Sequence, residues 1–175
     1  MRKSLSLFGS AIFLIVAPGT IAGFGPWWIG HWTVLPSFFG YSSLRELGIF
    51  LAVAGLIPLL ESFVRFALEG LGTPAPIAPP KHLVVGGFYR HVRNPMYVGV
   101  VAIVLGQALY FADQRILAYA AIVWLAFHAF VVGYEEPTLR ELFGGAYDEF
   151  CTNVPRWLPR ITPWRQPSAT GDLNL

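Results

Sequence analysis

Four stretches of this chain are almost free of charge, and that pattern constrains the fold more than any motif. Residues 5–29, 44–68, 95–111 and 116–134 are apolar nearly throughout. A helix needs about 20 mostly apolar residues to cross the hydrocarbon core of a bilayer. The third stretch is the shortest, yet Met96 to Phe111 contains no charged side chain. Only 13% of the 175 residues are charged, against about 25% in an ordinary soluble domain. The expectation is an all-α integral membrane protein with about four transmembrane helices, followed by an amphipathic C-terminal cytoplasmic segment.

The opening "MRKSLSLFGSAIFLIVAPG" has the basic start and short apolar run of a signal peptide. Its apolar character continues through "TIAGFGPWWI", where a Trp pair is placed like an interfacial belt, so a retained span is expected. Basic residues set the orientation. Arg2 and Lys3 precede the first span, Lys81, Arg90 and Arg93 lie between the second and third, and Arg140, Arg156, Arg160 and Arg165 follow the fourth. The opposite side has Arg45 and Arg115. The positive-inside rule then predicts a multi-pass protein with both termini and the central loop in the cytoplasm, in the inner or plasma membrane if the source is bacterial.

A formal net charge of +2 gives no footing for nucleic acid. The single cysteine, Cys151, excludes an intrachain disulfide and a multi-cysteine zinc site, and no metal is expected. Residues 1–165 read as one domain, with residues 81–160 as its catalytic part and 166–175 as a flexible tail. "GTPAPIAPPK" carries four prolines in ten residues, which makes it an extended spacer along the membrane surface. "LRELFGGAYDEF" has the apolar spacing of an amphipathic helix interrupted at Gly144-Gly145. "VPRWLPRITPW" reads as an interfacial segment anchored by Trp and Arg.

Ionisable residues inside spans are costly, so each asks for a reason. Glu61, Arg65 and Glu69 lie four apart, on one helical face, and read as a self-neutralising ladder or the border of a polar cavity. His128 precedes Glu135 by seven residues and shares nearly the same face. Glu135 and Glu136 are expected at the cytoplasmic end of the fourth span, just before Pro137, where the helix dipole disfavours carboxylates. Arg90, Arg93 or a cationic ligand would compensate them. If the last two spans are antiparallel neighbours, the loop "GGFYRHVRNPMYVG" meets this acidic pair. Gly86-Gly87 permits close backbone approach, and Pro95 suits a helix start whose free N–H groups can receive a polar ligand.

These two segments, "GGFYRHVRNPMYVG" and "EEPTLRELFGGAYDEFCTNVPRWLP", resemble the membrane methyltransferases that include isoprenylcysteine carboxyl methyltransferase and phosphatidylethanolamine N-methyltransferase. The resemblance covers roughly residues 81–159. It implies S-adenosylmethionine as cofactor, bound between the last two spans and the C-terminal segment. Lys81, His82, Leu83 and Val84 match the stretch of cofactor contacts ahead of the glycines. Tyr89 matches the tyrosine of the G-x-Y element, and Asn94, Pro95, Met96 and Tyr97 match H/N-P-x-Y. Glu135 and Glu136 match the acidic pair. Prenylcysteine enzymes usually have histidine at Asn94 and an arginine at Val131. "NPMY" and "YEEP" look closer to the phospholipid branch, and "FGGAYDEFCTNVPRWLP" to the prenylcysteine branch.

Methyl transfer from a sulfonium is an in-line displacement, so alignment and exclusion of water dominate. Glu135 is expected on polar groups of the cofactor, with Glu136 beside it or paired with Arg93. Asn94 cannot titrate and can only bridge by hydrogen bonds. Arg93, Asn94, Glu136 and His128 are the candidate catalytic residues, the last two as bases for an amine acceptor. A carboxylate acceptor needs no base. The reading is methyl transfer to a lipophilic or amphiphilic acceptor of isoprenylcysteine-carboxylate type that arrives from the membrane lipids. The alternatives are a phospholipid amine, a small thiol, a membrane reductase using NADPH, and a non-catalytic scaffold.

Overall fold

The computed structural model describes residues 15–69 and 82–165, and among them every regular element is helical. The start of the first span, the proline-rich spacer with Lys81, and the tail lie outside the described residues. A π-helical turn, Gly19–Phe24, leads into α1, Gly25–Gly30. Then come α2, Ser43–Glu69, and α3, Pro95–Phe111. Next, α4, Gln114–Phe130, passes through a second π-helical turn, Val131–Glu135, into α5, Glu136–Phe143, and α6 is Gly145–Asn153.

Two of these helices are long and apolar enough to cross a membrane. Ser43–Arg65 has 23 residues at mean hydropathy 2.2, and Gln114–Phe143 has 30 at 2.1. Pro95–Phe111 is apolar but shorter. Only 28% and 22% of the apolar windows of the two long helices are buried. A core helix of a soluble protein would be mostly enclosed; here the outward Ile49, Phe50, Val53, Ile57, Leu125 and Val132 suit lipid.

Both π-helical turns stand just ahead of a proline, and the first shows why. Pro26 has no N–H, so the Ala22 carbonyl one turn earlier loses its donor. The Gln107 side-chain amide donates to the Ala22 carbonyl at 2.6 Å, and the Tyr119 hydroxyl donates to that of Ile21 at 3.0 Å. These two polar residues of α3 and α4 therefore tie down α1. Gly25 makes room, since a Cβ there would meet the Tyr119 hydroxyl at 2.5 Å.

α2 and α3 form the tightest pair. A Cβ on Gly106 would lie 2.5 Å from the Gly48 carbonyl oxygen, and one on Gly99 2.6 Å from that of Gly55. The register is antiparallel, with the small residues seven apart on each helix, so backbones touch where side chains normally intervene. Around this contact Leu59, Phe63, Val100 and Val123 form one buried cluster, and Val104, Ala108, Ile116 and Ala120 another.

α3 ends on Ala112 in the left-handed conformation (φ 55°), and Asp113 caps α4 by accepting from the Arg115 N–H at 2.8 Å. Asp113 is buried, and its carboxylate pairs with the Arg115 guanidinium at 2.7 Å. At the other end, α5, α6 and the strap that follows pack a second core from Tyr147, Phe150, Val154 and Trp164 against Leu83, Val85 and Tyr89.

The glycine contact predicts that Gly106→Leu lowers the melting temperature in detergent sharply, at a cost of about 2–4 kcal/mol from forced helix separation. Gly133→Ala, where a Cβ meets nothing within 4 Å, should leave it unchanged or raised. The hydrogen bond from Arg115 holds the Asp113 carboxyl below its usual range. A depressed folded pKa stabilises above the unfolded value, about 3.9, and that contribution disappears as pH falls through the folded value. Melting curves of wild type and Asp113→Asn should differ by a constant gap at neutral pH that closes only below about pH 4.

Candidate functional site

The loop between α2 and α3 is set by α2. Gly87 adopts φ +52° at the start of the turn Gly87–Arg90, and a Cβ there would collide with the Glu61 and Arg65 side chains. Those two form an ion pair, and the Phe88 N–H donates to Glu61 Oε2 at 3.4 Å. Only a glycine allows this approach. The turn delivers Tyr89 into the interior, where burial, then the neighbouring Glu135 and Glu61 carboxylates, hold its phenol well above the ordinary range. Glu69 has no described side chain, so the pair Glu61–Arg65 is what is seen of the expected ladder.

One turn into α3, the Tyr97 hydroxyl donates to Glu135 Oε2 at 3.0 Å, and its ring lies 4.6 Å from that of Phe127. Asn94 is buried at the N-cap without a side-chain cap bond to the helix; its amide donates instead to the Arg156 carbonyl at 3.0 Å. Pro95, the first helical residue, needs no N–H partner, and Met96 follows it against the buried cluster of α2 and α3.

Glu136 points elsewhere. Arg156 grips both its oxygens, Nε to Oε1 at 2.6 Å and an Nη to Oε2 at 2.9 Å, and Arg93 lies 3.2 Å from Oε1. Arg93 also reaches the Cys151 sulfur at 2.7 Å. This is a closed ionic knot joining the loop, α5 and the strap. Adjacent helical positions lie about 100° apart, which is how neighbouring carboxylates come to face different surroundings.

The acidic pair does not stand at a helix end as expected. The helix continues through Pro137, because the π-helical turn shifts register and places that proline early in α5, where its missing N–H is tolerated. Glu136 therefore lies within a continuous helix, its own N–H bonded to the Val131 carbonyl, and its charge is matched by arginines rather than by a helix terminus.

The remaining candidates scatter. The Arg90 Nε donates to the Trp164 carbonyl at 2.6 Å, which ties it to the strap. His128 accepts from the Trp157 indole N–H at 3.1 Å and stacks on Trp124, with ring centroids 5.5 Å apart. His82 is exposed, Leu83 packs on the second core, and Val84 is buried. Arg156 is not among the site residues expected from sequence, and Glu61 is expected only as part of a ladder or as the border of a polar cavity. The signal for Arg156 is an arginine between prolines in a largely apolar strap, one that Arg160 shares, and for Glu61 the i, i+4 partner in a span.

A family model described as phospholipid methyltransferase matches residues 20–146. The chain belongs to that family. Proteins similar to this chain include protein-S-isoprenylcysteine O-methyltransferase B of Arabidopsis thaliana, 33% identical over 80 residues, which is 45% of this chain and 40% of that protein. Its A form is 35% identical over 80 residues, again 45% and 40%. The Schizosaccharomyces pombe protein-S-isoprenylcysteine O-methyltransferase is 31% identical over 80 residues, 45% and 34%. The chain thus spans 34–40% of the length of these relatives.

Within this family member the two glutamates have separate chemistry. Glu135 meets the Tyr97 hydroxyl, and Glu136 meets guanidinium groups. Removing Glu136 leaves two arginines without their shared anion, so Glu136→Ala should cost on the order of 3 kcal/mol in detergent unfolding. Glu135→Ala, which frees only a tyrosine hydroxyl, should cost about 1 kcal/mol.

Proposed function

We propose that this protein is an integral membrane methyltransferase that uses S-adenosylmethionine. The proposed topology has four spans and both termini in the cytoplasm. The observation that carries the reading is the cluster of Tyr89, Tyr97 and Glu135 beside the uncapped start of α3, at the end of the bundle covered by the strap.

The donor set fits the cofactor. Glu135 keeps one carboxylate oxygen beyond the one bonded by Tyr97, suited to an ammonium or ribose hydroxyls. The first-turn N–H groups of α3 have no intrahelical acceptors and suit a carboxylate. Asn94, Pro95, Met96 and Tyr97 would line this end, with Val84, Leu83 and His82 leading into it; Lys81 keeps its assignment from the resemblance alone. S-adenosylmethionine, when bound, supplies an electrophilic methyl group on a sulfonium. The protein's part is to align donor and acceptor and to exclude water.

The acceptor favoured is a carboxylate on a lipophilic group, of isoprenylcysteine type, reaching the site from the membrane lipids. An amine acceptor needs a base. Of the candidates, Glu136 is held by two arginines and His128 Nδ1 by the Trp157 indole, so neither is poised to take a proton. A carboxylate needs none. The names of the isoprenylcysteine relatives support the same choice.

Calorimetric titration of the detergent-purified protein with S-adenosylhomocysteine should give saturable binding, lost in Glu135→Ala and weakened about tenfold in Tyr97→Phe. Absence of binding to the wild type, or binding of NADPH instead, would overturn the reading. With radiolabelled cofactor and native membranes, label should enter a base-labile ester; label in a phospholipid headgroup would transfer the assignment to an amine.

A further inference from the structure

The strap after α6 reads as a cover over the site, but its surface is wrong for a cover facing water. Leu158 is 80% exposed and Ile161 96%. Between them and the bundle stands Trp157, whose ring lies 6.3 Å from that of Trp124 and 5.9 Å from His128, both on α4. Depth follows from helix rise. Asp113 and Arg115 mark one boundary, and a core of about 30 Å takes about 20 residues at 1.5 Å each. The opposite boundary then falls near Tyr134, and His128 lies roughly 9 Å inside it. Trp157 therefore runs down alongside the span, and its neighbour Leu158 is exposed, as are Leu125 and Val132 of that span.

Part of the strap backbone is suited to that depth. Pro155, Pro159 and Pro163 recur every fourth residue and carry no N–H to satisfy. The Pro155 carbonyl accepts from the Arg93 N–H at 2.9 Å, and the Arg160 and Trp164 N–H groups donate to His91 and Arg90, each at 2.9 Å. Irregular backbone is tolerated near lipid only where protein satisfies it in this way. Its charges are also handled. Arg156 is neutralised by Glu136, and Arg160 donates to the Asn153 carbonyl at 2.6 Å and to Thr162 Oγ1 at 3.3 Å.

We propose that residues 157–161 form a wedge inserted into the cytoplasmic leaflet, with Leu158 and Ile161 among acyl chains and Arg160 and Arg165 at the lipid phosphates. The partner is the bilayer itself. Because the strap bonds to residues 90–94 of the loop, insertion holds the site closed; this second half rests on the cofactor and topology proposed above.

The test begins with Ile161→Cys in a Cys151→Ser background, carrying an environment-sensitive fluorophore in phosphatidylcholine vesicles. Quenching by lipids with a nitroxide high on the acyl chain, together with protection from aqueous iodide, is expected. Iodide quenching would overturn the wedge, and so would protection without lipid quenching, which would mean burial against protein. For the coupling, Leu158→Glu/Ile161→Glu should weaken S-adenosylhomocysteine binding in vesicles about tenfold, while Leu158→Met/Ile161→Leu leaves it unchanged. Wild-type affinity in the glutamate pair would overturn the coupling. If the wild type binds no S-adenosylhomocysteine, the cofactor reading and the coupling fall together, and the quenching still decides the wedge.

Discussion

Lipid offers a polypeptide no hydrogen bonds, so every backbone group released by a proline must find a partner inside the protein. Much of this molecule can be understood as the consequence. Pro26 releases carbonyls, and Gln107 and Tyr119 are placed to receive them, which docks the first helix. Pro137 shifts the register of the long last helix and turns Glu135 and Glu136 toward different neighbours. Pro155 accepts from the loop that holds Arg93 and Asn94. The prolines locate the joints, and polar side chains otherwise out of place in apolar helices are found at them.

The same economy divides the acidic pair. A carboxylate held by two guanidinium groups is a structural fastener; in a low-dielectric setting it is stable only because its charge is matched. A carboxylate met by a single tyrosine hydroxyl keeps its second oxygen, and with it part of its hydrogen-bonding capacity. One glutamate thus secures the strap against the loop, and the other is left for the ligand of the proposed site.

How much of this was legible in the sequence depended on range. Apolar length revealed the helices, and the Gly144-Gly145 break separated α5 from α6 as expected. The meeting of the Asn94–Tyr97 stretch with Glu135-Glu136 followed from antiparallel pairing of adjacent helices. What stayed hidden were partners set by tertiary contact. Arg156 is an ordinary basic residue until the strap folds back on Glu136. Gln107 and Tyr119 have no local reason to be in their helices, because the proline they answer lies some 80 and 90 residues earlier. His128 shared a face with Glu135 only for an unbroken 3.6-residue helix, and the intervening π-helical turn changes that phase.

The contact of Gly48 and Gly55 with Gly106 and Gly99 has a meaning beyond packing. Helix axes normally stand 8–10 Å apart, and bare backbone contact brings α2 to the close end of that scale. At such a distance Glu61 can reach under Gly87 and hold the turn that carries Tyr89. The N-terminal helices are thus more than an anchor for the half that carries the proposed site. A generic apolar hairpin grafted in their place would keep the protein in the membrane and leave its loop without a floor.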